Sequence, residues 1–223
     1  MASVVEWIAT GPPAFLVRPI FQRVELQLWK ASGRRGLPPH AVKQQAVREY
    51  ARRYGLRVLV ETGTYLGDMI WAVRHDFRAI YSVELDPSLH ARAVARFRRL
   101  AHVQLLHGDS ANVLGELVAR LEEPALFWLD GHFSGGITAR GKSDTPVLSE
   151  LDHVFGDRRH QHVALIDDAR DFMENEDYPP VEELEKHLRK IRPGLTVRVA
   201  DNIIRVHAST TAAASTDSEM TPL

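Results

Sequence analysis

The segment Leu59-Val60-Glu61-Thr62-Gly63-Thr64-Tyr65-Leu66-Gly67 restricts the folds open to this chain more than any other. A short apolar strand runs into an acid, then into a turn with two glycines, then into a helix start. Glycine lacks a Cβ, so such a turn can bring backbone close to a ligand. The helix start aims its N–H groups at the same place. Further carboxylates fall just past the ends of the strands that follow, and that edge is where open α/β sheets bind their ligands.

The pattern after this segment alternates strand and helix. Strands are predicted at Arg57–Glu61, Ala79–Val83, Val103–Leu106, Ala125–Leu129 and His162–Ile166, with helices such as Pro87–Leu100 and Ser110–Leu121 between them. Such alternation implies a parallel sheet covered on both faces. The rhythm then changes. After a helix at Val181–Ile191, two β-rich runs, Leu195–Ala200 and Ile203–His207, flank Asp201-Asn202, a two-residue hairpin turn. Residues 57–207 therefore read as one α/β domain. Residues 1–56 read as a helical cap, broken at Gly33 to Pro39, with apolar Val42, Ala46, Val47 and Ala51 on a helix closed by Gly55. Trp7, Phe15, Phe21 and Trp29 supply an aromatic series there, suited to core packing, to covering a substrate or to a second copy of the chain. Residues 208–223, rich in Ala, Ser and Thr, are expected to be disordered.

Composition removes several classes. The 28 Lys plus Arg against 29 Asp plus Glu give a net charge of -1, which argues against a nucleic-acid binder. The absence of cysteine excludes disulfides, thiolate metal sites and a cysteine nucleophile. No apolar run reaches the roughly 18 residues of a spanning helix, and no signal peptide is read, so a cytoplasmic protein that binds no membrane is the expectation.

The glycine turn lacks the Lys-Ser/Thr pair of a P-loop and the three-glycine spacing of a dinucleotide fingerprint. A nucleotide-like ligand without a pyrophosphate fits better. Glu84, about 20 residues on at the end of the next strand, suits ribose hydroxyls. Asp109 and Ser110, after the third strand, suit an adenine edge, although Asp109 equally reads as a helix cap. Glu61 suits a cationic group.

Together these residues resemble class I S-adenosylmethionine-dependent methyltransferases over about residues 57 to 207. V-E-T-G-T-Y-L-G is similar to that family's methionine-binding loop, which assigns Glu61, Gly63, Thr64 and Gly67 to the cofactor. Glu84 in Y-S-V-E-L-D matches the ribose acid, and Leu85 the side chain packed on adenine. G-D-S at Gly108–Ser110 resembles the adenine turn. The resemblance implies a Rossmann-like sheet of seven strands, the last antiparallel.

A second acidic group follows strands four and five: Asp130, then Asp167 and Asp168. Neighbouring strands would bring the three together, where like charges repel. A divalent cation would relieve that, and an all-oxygen set suits Mg²⁺, Mn²⁺ or Ca²⁺ rather than zinc. Alternatively Asp167 and Asp168 cap the next segment and bind Arg170, while Asp130 meets the cofactor's amine. The pattern is similar to the metal-dependent macrocin O-methyltransferase group, which implies Mg²⁺ on Asp130, Asp167 and Asp168. That group has an acidic base where this chain has His132, a departure; histidine can do the same work or be a loop hydrogen-bonder. The glycine-rich run Ser134–Lys142 carries Arg140 and Lys142 and precedes a helix start at Thr145-Pro146 with Glu150. Arg96, Arg98 and Arg99 read as a solvated face, Trp128 as core, and Tyr65 as core or as a lid over the ligand.

The expectation is transfer of a methyl group from S-adenosylmethionine to a hydroxylated small molecule, with Asp130 and His132 at the reaction and a divalent metal assisting. A nicotinamide-dependent oxidoreductase and a non-catalytic S-adenosylmethionine-binding module are the rivals. The acceptor and any homo-oligomer are not written in the sequence.

Overall fold

The computed structural model describes residues 14–34, 36–131, 146–174 and 178–209. Seven strands form one sheet: β1 (Val58–Thr62), β2 (Ala79–Glu84), β3 (Val103–His107), β4 (Ala125–Leu129), β5 (Val163–Ile166), β6 (Leu195–Ala200) and β7 (Ile203–Ala208). Their spatial order is β3-β2-β1-β4-β5-β7-β6. The first five strands pair in parallel, and β7 runs antiparallel to both β5 and β6. The predicted sheet is present, with boundaries within one residue for every strand.

The central strands β1, β4 and β5 are buried along their whole length. Their sequences are almost unbroken apolar runs, as strands covered on both faces require. Alternation still sorts side chains to opposite faces. Phe127 and Leu129 join a core with Leu114, Leu151, Phe155, Leu184 and Leu188. Leu126 and Trp128 face the other core, with Val47, Tyr50, Ile70, Val73 and Phe97. Trp128 is 1% exposed, so its predicted core position holds.

The helices supply those faces. In chain order they are α1 (Ala14–Ala31), α2 (His40–Tyr54), α3 (Asp68–Val73), α4 (Pro87–Phe97), α5 (Ser110–Arg120), α6 (Val147–Gly156), α7 (Asp171–Glu174) and α8 (Val181–Ile191). Gly55 closes α2 in the left-handed conformation, with φ 65°. Asp86 caps α4 by accepting from the N–H groups of Ser88 and Leu89. The side chains of α2 share the core of β1 and β4, so this N-terminal helix belongs to the layer over the sheet. Asp201 and Asn202 both have positive φ, 50° and 57°. That is the geometry of the tight hairpin turn whose twist matches its strands. Trp7, the run Ser134–Lys142 and the tail beyond 209 lie outside the described residues. No helix among the described residues is long and apolar enough to cross a membrane.

A polar clamp closes the edge where β4 and β5 begin. His162 Nδ1 accepts from the Ala125 N–H at 3.0 Å, so Nε2 carries the proton and donates to Asp157 Oδ2 at 3.1 Å. His160 and Arg159 bond the same carboxylate. These three groups, Asp157, His160 and His162, have metal-like spacing. With both His162 nitrogens engaged and the Arg159 cation on the carboxylate, they form a structural clamp instead. Burial opposes the Asp157 charge, but the bonds from Arg159, His160 and His162 outweigh it and hold the carboxyl below its ordinary range.

A carboxyl with a depressed folded-state value stabilises fully above its unfolded value, about 4, and loses that contribution as pH falls. Asp157→Ala is therefore expected to destabilise by about 2–4 kcal/mol at pH 7, and by clearly less at pH 3. Urea unfolding of both proteins at the two pH values measures the difference.

Candidate active site

The strand order reverses between β1 and β4, and the crevice lies past their C-terminal ends. Gly63 sits there with φ 79°. A Cβ on Gly63 would lie 2.3 Å from the Asp130 carbonyl oxygen. No L side chain fits, so the loop after β1 and the end of β4 touch backbone to backbone. Gly67, at φ 74°, opens α3, and a Cβ there would lie 2.6 Å from the Phe97 ring. Tyr65 also has positive φ, 49°, and is exposed, as a residue over a ligand crevice would be.

Glu61 is buried at the end of β1. Ser82 donates to its Oε2 at 2.6 Å, and Thr64 Oγ1 lies 2.6 Å from Ser82 Oγ. A hydroxyl has one proton, so Thr64 is the donor to Ser82. Burial pushes the Glu61 carboxyl up to about 8, helped by the negative charge of Asp130, Glu84 and Asp68 and opposed by the Ser82 bond. Ser82 was not singled out by the sequence; its signal is its place on β2, directly beside Glu61 in the strand register.

Glu84 ends β2 with its carboxylate fixed by backbone. Oε2 accepts from the Tyr65 N–H at 2.8 Å and Oε1 from the Asp86 N–H at 2.9 Å. Each oxygen keeps a further lone pair for a donor such as a ribose hydroxyl. Leu85, half-buried, follows it. Asp109 caps α5 by accepting from the Ala111 N–H at 3.0 Å, and Ser110 beside it is buried. The cap reading of Asp109 is thus realised. Arg96, expected on a solvated face, instead donates to the Leu66 carbonyl and to Asp68, bracing the glycine loop.

The second acidic group converges. Carboxylate oxygens of Asp130, Asp167 and Asp168 lie within 4.8 Å of one another. A cation that the sequence reading did not name reaches this group. Lys43, from α2, donates to Asp167 Oδ2 at 2.6 Å and to Asp168 Oδ1 at 3.2 Å. Asp167 is 1% exposed, and its Oδ1 accepts from the Asp168 N–H. Asn202, from the hairpin turn, donates to Asp168 Oδ1 at 3.1 Å. Burial alone would lower Lys43, but Asp167, Asp168 and Asp130 raise it and keep it an ammonium. Burial and Asp168 raise Asp167, against the pull of Lys43. The sequence reading missed Lys43, although it lies four residues before buried Val47 and seven before buried Tyr50, on the helix face that meets the sheet. His132 lies outside the described residues, as does the loop that carries Arg140 and Lys142.

No protein-family model matches the sequence, and comparison with curated proteins finds no match. Solved structures do match. An O-methyltransferase from Bacillus cereus, crystallised with S-adenosylhomocysteine, is similar at 13% identity and TM-score 0.57, over 84% of this chain and 90% of that one. The O-methyltransferase TomG from Streptomyces achromogenes, in complex with S-adenosylmethionine, gives 17%, 0.54, 84% and 88%. The methyltransferase PaMTH1 from Podospora anserina, bound to S-adenosylhomocysteine, gives 17%, 0.52, 89% and 96%. The chain has the fold of class I S-adenosylmethionine-dependent methyltransferases, with the seven-stranded sheet and antiparallel β7 expected of it.

A carboxyl with a raised folded-state value keeps a proton that the unfolded chain has lost. Stability should therefore fall as pH rises from about 4.5 to about 8. Glu61→Gln should flatten that slope, as unfolding free energies at pH 5 and 8.5 will show. Gly63→Ala should destabilise by about 1–3 kcal/mol, from backbone strain and the overlap with Asp130, which a chemical denaturation curve measures.

Proposed function

We propose that this chain transfers the methyl group of S-adenosylmethionine to a hydroxyl oxygen of a small molecule. The observation that carries the proposal is the meeting, at the switch point of this fold, of a glycine loop, a backbone-fixed Glu84 and the Asp130, Asp167 and Asp168 group. Other class I proteins methylate nitrogen on the same sheet, so the acceptor reading rests on the acidic group and not on the fold.

Glu84 accepts the two ribose hydroxyls on its remaining lone pairs. Gly63, Thr64 and Gly67 let backbone approach the methionine portion, and Leu85, Asp109 and Ser110 border the adenine. The cofactor carries a sulfonium and an ammonium, and the acids Glu61, Glu84 and Asp130 supply a negative crevice for both. A cation beside Glu61 favours its charged form, so binding is coupled to proton release from that carboxyl.

Methyl transfer needs an oxygen lone pair in line with the sulfur–methyl bond, and most of the acceleration comes from that alignment. A base must take the hydroxyl proton, the role proposed for His132. Asp130, Asp167 and Asp168 fit Mg²⁺ by donor type and by mutual spacing, and would hold it. When bound there, such an ion lowers the pKa of a coordinated hydroxyl. Asp130 stands between the two halves of the site, with its backbone against Gly63 and its carboxylate in the acidic group.

Calorimetry with S-adenosylhomocysteine and with NAD tests the cofactor. Binding of the former and not the latter is expected, and Glu84→Ala should weaken it at least about tenfold, about 1.4 kcal/mol. Binding of NAD alone would reverse the assignment. Turnover on a panel of hydroxylated metabolites, with and without chelator, tests the chemistry; loss of turnover with chelator is expected, and cofactor binding without turnover on any acceptor would favour a non-catalytic module.

A further inference from the structure

The acidic group receives a cation that the chain supplies itself. Lys43 reaches it from α2, far away in sequence, and its ammonium lies on Asp167 Oδ2 and Asp168 Oδ1. The side chain is mostly enclosed, 15% exposed, against an Asp167 side chain that is 2% exposed. The other oxygen of Asp167 is occupied by the Asp168 N–H, and Asp168 Oδ1 also takes the Asn202 amide. Each Asp167 oxygen thus already accepts one hydrogen bond, and an ion that reaches Oδ2 meets the Lys43 ammonium.

We propose that Lys43 is a built-in counter-cation that competes with a divalent ion for Asp167 and Asp168, so that metal entry displaces the Lys43 ammonium. This rests on the metal reading of the acidic group given above. The ammonium lies 2.6 Å from Asp167 Oδ2 and leaves that oxygen a second lone pair, but two cations on one carboxylate oxygen repel. Three clustered carboxylates without a metal would otherwise repel one another, and Lys43 relieves that in the metal-free protein. The same contact ties α2 to the loops after β5, so exchange of ammonium for metal changes what holds this helix end beside the crevice. The rest of α2 stays fixed by Val47, Tyr50 and Ala51 in the core. Lys43 is thus a positioning residue that sets metal affinity.

Lys43→Met keeps the length of the side chain and removes its charge. With folding confirmed by circular dichroism, Mn²⁺ binding is followed by the electron paramagnetic resonance of the free ion. The variant is expected to bind Mn²⁺ at least about tenfold tighter than the wild type, a shift of about 1.4 kcal/mol. Equal or weaker binding by the variant would overturn the proposal, and so would absence of Mn²⁺ binding in both proteins at millimolar metal. If the variant does not fold, the wild type alone decides. Acetylation of lysines, read by mass spectrometry, should rise several-fold at Lys43 when Mn²⁺ is added, with exposed Lys30, Lys186 and Lys190 as controls. Unchanged protection of Lys43 at saturating Mn²⁺ would overturn displacement. Neither measurement uses the cofactor, so failure here leaves S-adenosylhomocysteine binding as a separate test of the methyltransferase reading.

Discussion

The contact between Gly63 and the backbone of Asp130 is the constraint on which the site depends. It joins the two strands between which the chain reverses its order, with no side chain intervening. Every other candidate residue is placed relative to that seam. Glu61 lies two residues before it on β1, with Ser82 and Thr64 completing a hydroxyl chain to its carboxylate. Glu84 is oriented by the N–H of Tyr65, two residues after Gly63. On the far side Asp130 leads into the acidic group. Widening the seam by one methyl group would separate the Glu61 and Glu84 half of the crevice from the carboxylate half.

The crevice collects negative charge in two different ways. Glu61 is enclosed, and its cheapest form near neutral pH is the protonated one. The three aspartates instead have a cation provided. These are the two general answers to clustered acids in a low-dielectric place: give up the charge or compensate it. At the opposite edge of the sheet Asp157 shows the second answer carried further, with one guanidinium and two imidazoles on a single carboxylate.

Much of the fold was legible because parallel strands buried on both faces leave long apolar runs, and because Gly55 and Asp201-Asn202 have the chemistry their cap and turn require. Carboxylates at strand ends were legible for the same reason, since the strand positions fix them. What sequence could not supply was pairing across the fold. Lys43 finds Asp167 only because α2 packs over β1 and β4, and a lysine at that spacing reads equally as a stem lying along an apolar face. Arg96 was read with its neighbours Arg98 and Arg99, yet only the folded loop brings the Leu66 carbonyl to it.

The hairpin turn between β6 and β7 has a consequence for how the protein is made. Asn202 accepts from Ala169 and Arg170 and donates to Asp168, while Lys43 approaches the same aspartates from near the other end of the described chain. Groups separated by most of the polypeptide must meet before this rim is complete. Such distant pairings are slow to form and reward the chain only late. Tyr65 and Glu84 meet across a separation of 19 residues, whereas Lys43 and Asp167 are 124 apart, so the carboxylate half of the rim depends on the pairings that cost the chain most.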